Sequence, residues 1–109
     1  MLRLLIAVAV TGVAAAASAA PPDAAQGEKV FAEQKCGLCH SIAGKGNPKG
    51  PLDEAVGKLS TADIRAWITD ANGMTAKTKA TRKPVMKAYT LAKPDADALV
   101  AYLTTLKKK

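Results

Sequence analysis

The sequence predicts a small all-α domain built from three main helices, with an export signal in front of it. Two stretches, one in the middle of the chain and one near its end, repeat apolar residues at the i, i+3, i+4 spacing of a buried helical stripe. No stretch alternates apolar and polar residues in the way that is typical of a strand. The chain has 109 residues, which is enough for one small domain.

The N-terminal segment 1–19 is predicted to be a secretory signal. Arg3 supplies the positive start, residues 4–13 are apolar, and small residues lead to an A-x-A cleavage site that ends at Ala19. The apolar run is too short to span a bilayer as a stable helix, which argues against the alternative of an uncleaved membrane anchor. Cleavage after Ala19 would leave residues 20–109 as the mature domain.

The first helix of that domain is predicted to run from Ala24 to about Cys36. Asp23 can cap its N-terminus, and Gly27 lies in its interior. A glycine inside a helix costs about 1 kcal/mol relative to alanine, so Gly27 is expected to have a packing role. The residues after His40 are rich in glycine and proline, which predicts a loop.

The second helix is predicted to begin after Ser60 and to stop at Asn72-Gly73. Ser60 and Asp63 form an S-x-x-D start signal, and glycine is a common residue just past a helix end. The stripe between them consists of Ile64, Trp67 and Ile68. Residues 74–90 contain a proline and many cations, and they are predicted to be irregular.

The last helix has the clearest signals. Pro94 suits a first helical position, and Asp95 and Asp97 lie near the positive end of the helix dipole. Its apolar face is formed by Leu99, Tyr102, Leu103 and Leu106.

The predicted core is thin for a domain that must fold alone. Only four aromatic residues are present, namely Phe31, Trp67, Tyr89 and Tyr102. Small domains with little apolar volume usually need a disulfide, a metal or a cofactor to hold them together.

The motif Cys36-x-x-Cys39-His40 provides such a group, because C-x-x-C-H is the attachment signature of c-type haem. The two thiols can each add across a haem vinyl group, and the adjacent His40 then supplies the proximal imidazole ligand of the iron. His40 is the only histidine in the chain. The sequence therefore predicts one covalently bound haem c.

Other uses of these cysteines fit the sequence less well. A Cys36–Cys39 disulfide would close a very short loop and would add little stability. A structural zinc site needs four ligands, but the chain has only two cysteines and one histidine. A thioredoxin-like motif would follow a strand, and no strand pattern precedes Cys36.

The sixth ligand of the iron is predicted to be a methionine, which is the usual partner of histidine in electron-transfer cytochromes. Met86 follows Pro84-Val85 in irregular backbone, so its side chain could reach across a flat cofactor. Met74 follows the predicted helix stop and stays open as the alternative. The sequence favours Met86, although either methionine could instead be an apolar filler.

These features together resemble the class I cytochromes c, in particular the short bacterial type. The resemblance covers nearly all of the mature chain, from Asp23 to Leu106. It is carried by Gly27 and Phe31, the haem motif, Gly50-Pro51-Leu52, the Trp67 helix, Pro84-Val85-Met86 and the segment Leu99 to Leu103.

The resemblance implies the small cytochrome c fold, in which three main helices surround one covalently bound haem. Gly27 and Phe31 of the first helix would then cross the last helix against Leu99 and Tyr102.

The resemblance also implies further contacts around the cofactor. His40 would donate its second ring N–H to the carbonyl of Pro51, and such a bond orients a ligating imidazole. Trp67 would pack near the haem and bond a propionate. Cys36, Cys39, Pro51 and Trp67 are thus the expected cofactor-binding residues, with His40 and Met86 on the iron.

An iron with both axial positions filled is suited to electron transfer, so the chain is predicted to be a periplasmic electron carrier and not an enzyme. A dedicated haem c subunit of a periplasmic dehydrogenase complex, for example one that oxidises an inorganic sulfur compound, is the first alternative. A haem enzyme or gas sensor with an open iron site is the second.

The charge distribution points to the partners. The formal net charge is +7, and no acidic residue lies between Asp70 and Asp95. If Met86 is the ligand, this basic stretch borders the haem crevice, so redox partners with acidic docking surfaces are expected. Lysines that only keep a loop soluble are the alternative. Nucleic acid is excluded for an exported haem protein, and the chain is expected to be a monomer or a subunit of a redox complex. The cations of this stretch are Lys77, Lys79, Arg82, Lys83, Lys87 and Lys93.

Overall fold

Residues 9, 11–12 and 22–108 are described by the computed structural model of the chain. The predicted signal segment 1–19 lies outside these residues apart from positions 9, 11 and 12, and it stays a prediction. Among the described residues, no helix has both the length and the apolar character needed to cross a bilayer.

Residues 22–108 form a helical domain, which confirms the predicted fold class. The α-helices are α1 (Pro22–Glu33), α2 (Leu52–Ala55), α3 (Thr61–Thr69), α4 (Ala71–Thr78) and α5 (Lys93–Thr104). Short 3₁₀ turns cover Cys36–Leu38, Val56–Lys58 and Thr105–Lys108. The two longest helices, α1 and α5, and the shorter α3 correspond to the three predicted ones.

Helix α1 crosses α5 at Gly27, as the resemblance implied. A Cβ atom on Gly27 would overlap the carbonyl oxygen of Ala98 and the Cβ of Tyr102. Beside this contact the rings of Phe31 and Tyr102 meet edge to face, with centroids 5.9 Å apart. Helix α1 ends at Glu33, before the predicted Cys36, because Lys35 adopts a left-handed conformation with φ 57°.

Helix α3 begins as predicted but ends earlier. The Ser60 hydroxyl accepts a hydrogen bond from the Asp63 N–H, and the Asp63 carboxylate accepts one from the Ser60 N–H, which is a capping box. The predicted stop at Asn72-Gly73 is wrong. The carboxylate of Asp70 accepts from the Gly73 N–H at 3.3 Å and caps a new helix, so these residues form the first turn of α4.

A small hairpin follows the haem motif, although no strand was predicted. Strands β1 (Ser41–Ile42) and β2 (Lys45–Gly46) pair antiparallel around Ala43 and Gly44, whose φ angles are 51° and 79°. Two positive φ values suit a two-residue hairpin turn. The Asp53 carboxylate accepts from the Ala43 N–H at 3.1 Å and holds the turn in place.

The core lies where α1, α3 and α5 meet. All buried residues of this cluster have aliphatic side chains. Arg65 of α3 and Lys93 of α5 both contact the Asp97 carboxylate, so one ionic cluster also joins α3 to α5. Phe31, Tyr89 and Tyr102 pack at the edge of this core and stay partly exposed. The core consists of Val30, Val56, Ile64, Ile68, Leu99, Val100, Leu103 and Leu106.

Candidate cofactor-binding site

One cavity of about 810 Å³ opens beside the core. Its walls come from the end of α1, the haem motif, the turn after α2, helices α3 and α5, and the irregular segment before α5. Core residues such as Ile64, Ile68 and Leu99 form part of its wall. Five predicted site residues and one further aromatic residue also line it, namely Cys36, Cys39, His40, Trp67, Met86 and Tyr89.

The 3₁₀ turn Cys36–Leu38 positions the haem motif. The N–H groups of Cys39 and His40 both donate to the Cys36 carbonyl, at 3.1 and 2.9 Å. Because this tight turn brings Cys36 and Cys39 onto the same cavity wall, both thiols can reach one flat cofactor. The two thiols are not bonded to each other, and burial raises the pKa of the Cys36 thiol above its ordinary value.

The ring of His40 is oriented by a backbone carbonyl, but not by the one that the resemblance implied. His40 Nδ1 lies 3.1 Å from the carbonyl oxygen of Gly50, so the prediction for Pro51 is wrong by one residue. The cause is a backbone bridge between Ser41 and Pro51, in which the Ser41 N–H donates to the same Gly50 oxygen at 3.0 Å. Pro51 is exposed and does not line the cavity.

This hydrogen bond determines which ring nitrogen can bind a metal. A carbonyl can only accept, so Nδ1 of His40 carries the proton and Nε2 keeps its lone pair. Burial is the main reason why the pKa of His40 is below its ordinary value; the Gly50 bond opposes this shift, and the Arg82 charge adds to it. The neutral imidazole is the form that ligates a metal.

Asn47 holds the backbone around the motif and was not recognised from the sequence as a site residue. Its N–H lies 3.0 Å from the carbonyl oxygens of both Gly37 and His40, and its side-chain amide donates to the Leu38 carbonyl at 3.0 Å. The Asn47-Pro48 pair was visible as a turn signal, but the turn alone does not reveal these partners.

The two candidate methionines lie in different surroundings. Met86 is half-buried and lines the cavity. Met74 is 7% exposed, lies in α4 and does not line the cavity. Trp67 lies on the cavity wall, whereas its packing against haem and its bond to a propionate stay predictions.

Arg82, like Asn47, contributes to the site but was not recognised from the sequence as a site residue. Its guanidinium donates to the Cys39 carbonyl at 2.5 Å and packs against Gly50, where a Cβ atom would overlap it. The available signal was that Arg82 is the only arginine in a stretch of lysines. Arginine carries several donors in a planar fork and is not equivalent to lysine at such a contact.

The residues around the cavity fit a covalently bound haem. The volume falls within the range of about 300–1,000 Å³ that small-molecule sites occupy. Two thiols on largely apolar walls can form the thioether bonds of haem c, and an imidazole and a methionine thioether are side chains that can bind its iron. Among the described residues, no group of three or more His, Cys, Asp or Glu side chains could hold a metal ion alone.

Comparisons with known proteins agree with this chemistry. The family model described as cytochrome c matches residues 24–107. Cytochrome c oxidase subunit 2 of Alkalihalophilus pseudofirmus is 34% identical over 92 residues, which cover 75% of this chain and 25% of that protein. The chain therefore spans about a quarter of the length of this curated relative. No solved structure gives a significant match.

Proposed function

The chain belongs to the cytochrome c family, and from this premise we propose that it is a periplasmic carrier that moves single electrons through one covalently attached haem c. The observation that carries the proposal is the shared cavity wall. It contains both cysteines of the motif, a histidine with a free Nε2, and one methionine. Family membership supports haem-based electron transfer, and the ligand set is our proposal.

In this proposal the chain binds, orients and shields the cofactor. Haem supplies an iron that changes its oxidation state, with potentials tuned by axial ligands and burial. Cys36 and Cys39 would hold the macrocycle by thioether bonds, and His40 Nε2 and Met86 would be the axial ligands. With both positions taken by the protein, small molecules have no open site, which favours a carrier over an enzyme.

The periplasmic location is part of the same proposal. It is supported by the signal features of segment 1–19 and by the family match, because cytochromes c are typically extracytoplasmic. It is tested by comparing the mass of the purified exported protein with that expected for residues 20–109 carrying one haem.

We also propose that the redox partners present acidic surfaces. The cavity is lined by four cationic side chains, and Leu38 beside them is 72% exposed. An apolar spot among positive charges suits brief docking to an acidic partner, since complementary charge accelerates encounter more than it tightens binding. The four cations are Lys35, Lys58, Arg82 and Lys87.

The axial ligand is tested with matched leucine variants. Leucine replaces methionine with little change in volume, which usually costs less than about 1.5 kcal/mol. We expect the oxidised wild-type protein and Met74→Leu to show the weak red absorption band of sulfur-to-iron charge transfer. We expect Met86→Leu to lose this band while it remains folded by circular dichroism.

Two other outcomes of this experiment would contradict the proposal. Loss of the band in Met74→Leu alone would make Met74 the ligand. A wild-type protein that has no such band, shows a high-spin spectrum and binds carbon monoxide readily when reduced would have an open iron site. The chain would then be a haem enzyme or a gas sensor.

A second candidate function is that of a dedicated haem c subunit in a larger redox complex. The similarity to cytochrome c oxidase subunit 2 favours it, because that protein is by its name part of an oxidase. A subunit of an oxidase or of a dehydrogenase would co-purify with its partner at high salt. A free carrier would separate from its partners as ionic strength rises.

A further inference from the structure

The segment that carries Met86 is held to the rest of the domain in an unusual way. Among the described residues, no hydrogen bond from one backbone group to another involves residues 81–88. The last such bond before the segment joins the Ala80 N–H to the Thr75 carbonyl at 3.2 Å. The next one joins the Tyr89 N–H to the Ile68 carbonyl at 2.8 Å. Because it contains Met86, the segment of residues 81–88 is called the methionine loop.

The side chain of Arg82 makes the polar contact that the backbone of this loop lacks. Its guanidinium donates to the carbonyl oxygen of Cys39, a residue 43 positions away in the chain. It also lies against Gly50, whose carbonyl accepts the hydrogen bond from the His40 ring. Within the part of the chain that the structure describes, neither salt bridge involves Arg82, so its guanidinium serves this contact.

We propose that Arg82 is a positioning residue that clasps the methionine loop to the haem-attachment turn and so keeps Met86 against the iron. The inference rests on the proposed His40/Met86 ligation. Met86 lies between two anchors, the Arg82 side chain and the Tyr89 backbone. Without the first anchor, the free part of the loop extends back to Ala80, and Met86 can leave the cavity wall more often.

The same contact links the two sides of the site. Arg82 touches the backbone that presents the proximal ligand, and it belongs to the loop that presents the distal one. Arginine suits this position because its planar guanidinium can donate to a carbonyl and cover a glycine at once, whereas a lysine ammonium is a more strongly hydrated point charge. The clasp is exposed, so it restrains the loop without adding much to the stability of the whole domain.

The test is the binding of imidazole to the oxidised holoprotein, since imidazole can reach the iron only where Met86 has moved away. We expect Arg82→Gln to bind imidazole several-fold more tightly than wild type. Lys83→Gln removes the same charge from the next residue of the loop, which makes no described polar contact, and should bind imidazole like wild type. Circular dichroism and the Soret band show that both variants are folded.

A third variant separates geometry from charge. Arg82→Lys keeps the positive charge but loses the planar fork, so a clasp predicts tighter imidazole binding than in wild type here too. If Arg82→Lys binds imidazole as weakly as wild type does, the positive charge alone keeps imidazole out and the proposed clasp is wrong.

The remaining outcomes distinguish this inference from the proposed function. A wild-type protein without the charge-transfer band lacks the methionine ligand, and then the proposed function fails first. A wild-type protein that has the band, with Arg82→Gln no more open to imidazole than Lys83→Gln, overturns the clasp alone.

Discussion

Two glycines of this chain should respond in opposite ways to the addition of one methyl group. Gly27 touches Ala98 and Tyr102 where α1 crosses α5, whereas nothing lies within 4 Å of a Cβ built on Gly57. The difference between the two sites is one of packing.

We predict that Gly27→Ala lowers the free energy of unfolding by about 1–3 kcal/mol, because overpacking outweighs the better helix propensity of alanine. Gly57→Ala should raise it by about 0.4–1 kcal/mol, since alanine restricts the unfolded chain. Denaturant unfolding of the two holoproteins measures both values. Equal effects of the two substitutions would contradict the packing argument.

Single residues of the site were predictable to the extent that their chemistry is local in the sequence. Cys36, Cys39 and His40 form a contiguous motif, and Met86 has a proline two residues before it. Arg82 leaves no comparable signal, because its partner is 43 residues away and a contact between a side chain and a carbonyl has no sequence period. The prediction that the His40 ring bonds the Pro51 carbonyl failed because every residue of a loop has a carbonyl. The residue types do not reveal which of two neighbouring carbonyls faces the ring.

At the scale of elements, the start of α3 depends on its capping box. We predict that Ser60→Ala lowers the free energy of unfolding by about 0.5–2 kcal/mol, since the Asp63 N–H loses its acceptor. Thr61→Ala is the matched control, because Thr61 is exposed and its hydroxyl makes no described hydrogen bond. Its effect should stay within about 0.5 kcal/mol. Thermal unfolding of the two variants under identical conditions makes the comparison.

The ionic cluster at Asp97 predicts a dependence of stability on pH. Hydrogen bonds from Lys93, at 2.8 Å, and from Arg65 hold the pKa of this carboxyl below its ordinary value. A lowered folded-state pKa means that the cluster stabilises the fold fully above about pH 4, the ordinary Asp range. This stabilisation is lost as the pH falls from there through the lower folded-state value.

The measurement compares wild type with Asp97→Asn across this range. The variant should be less stable at neutral pH, and the difference should shrink as the pH falls below about 4 and as salt screens the exposed charges. Glu28→Gln removes an exposed carboxylate with no described ion pair and should show no such trend. A constant difference between wild type and Asp97→Asn would show that the side chain acts by shape and not by charge.

The helices that the sequence predicted carry correct local signals, whereas α4 and the hairpin do not. Helices α3 and α5 bury a regular apolar stripe, which leaves a periodic pattern, and α1 was predicted from Asp23 near its start. Helix α4 depends on the Asp70 cap, and its Asn-Gly pair is typical of a stop, so local propensity pointed the wrong way. The hairpin has two-residue strands and an alanine in left-handed backbone, and neither feature produces a pattern.

For the whole molecule, the charge around the cavity should control reaction rates. We predict that oxidation of the reduced protein by an anionic reagent such as ferricyanide slows as salt rises and is slower in Lys87→Gln than in wild type. Lys87 lines the cavity, whereas Lys29 of α1 does not. Lys29→Gln should therefore react nearly like wild type.

A cationic reagent provides the reverse test at this scale. Its reaction should accelerate with salt and should be faster in Lys87→Gln than in wild type. If the rates change neither with salt nor in Lys87→Gln, the cations around the cavity only keep the surface soluble.

The crossing of α1 and α5 has a consequence for the order in which the chain can fold. Gly27 and its partners Ala98 and Tyr102 belong to opposite ends of the domain, so closing their interface must first overcome the entropy of the long segment between them. A polypeptide that emerges N-terminus first, from a ribosome or from a membrane channel, cannot complete this contact until its last helix is free. The cysteine motif emerges well before that point, so under the proposed function its thiols are accessible to haem while the rest of the chain is still arriving.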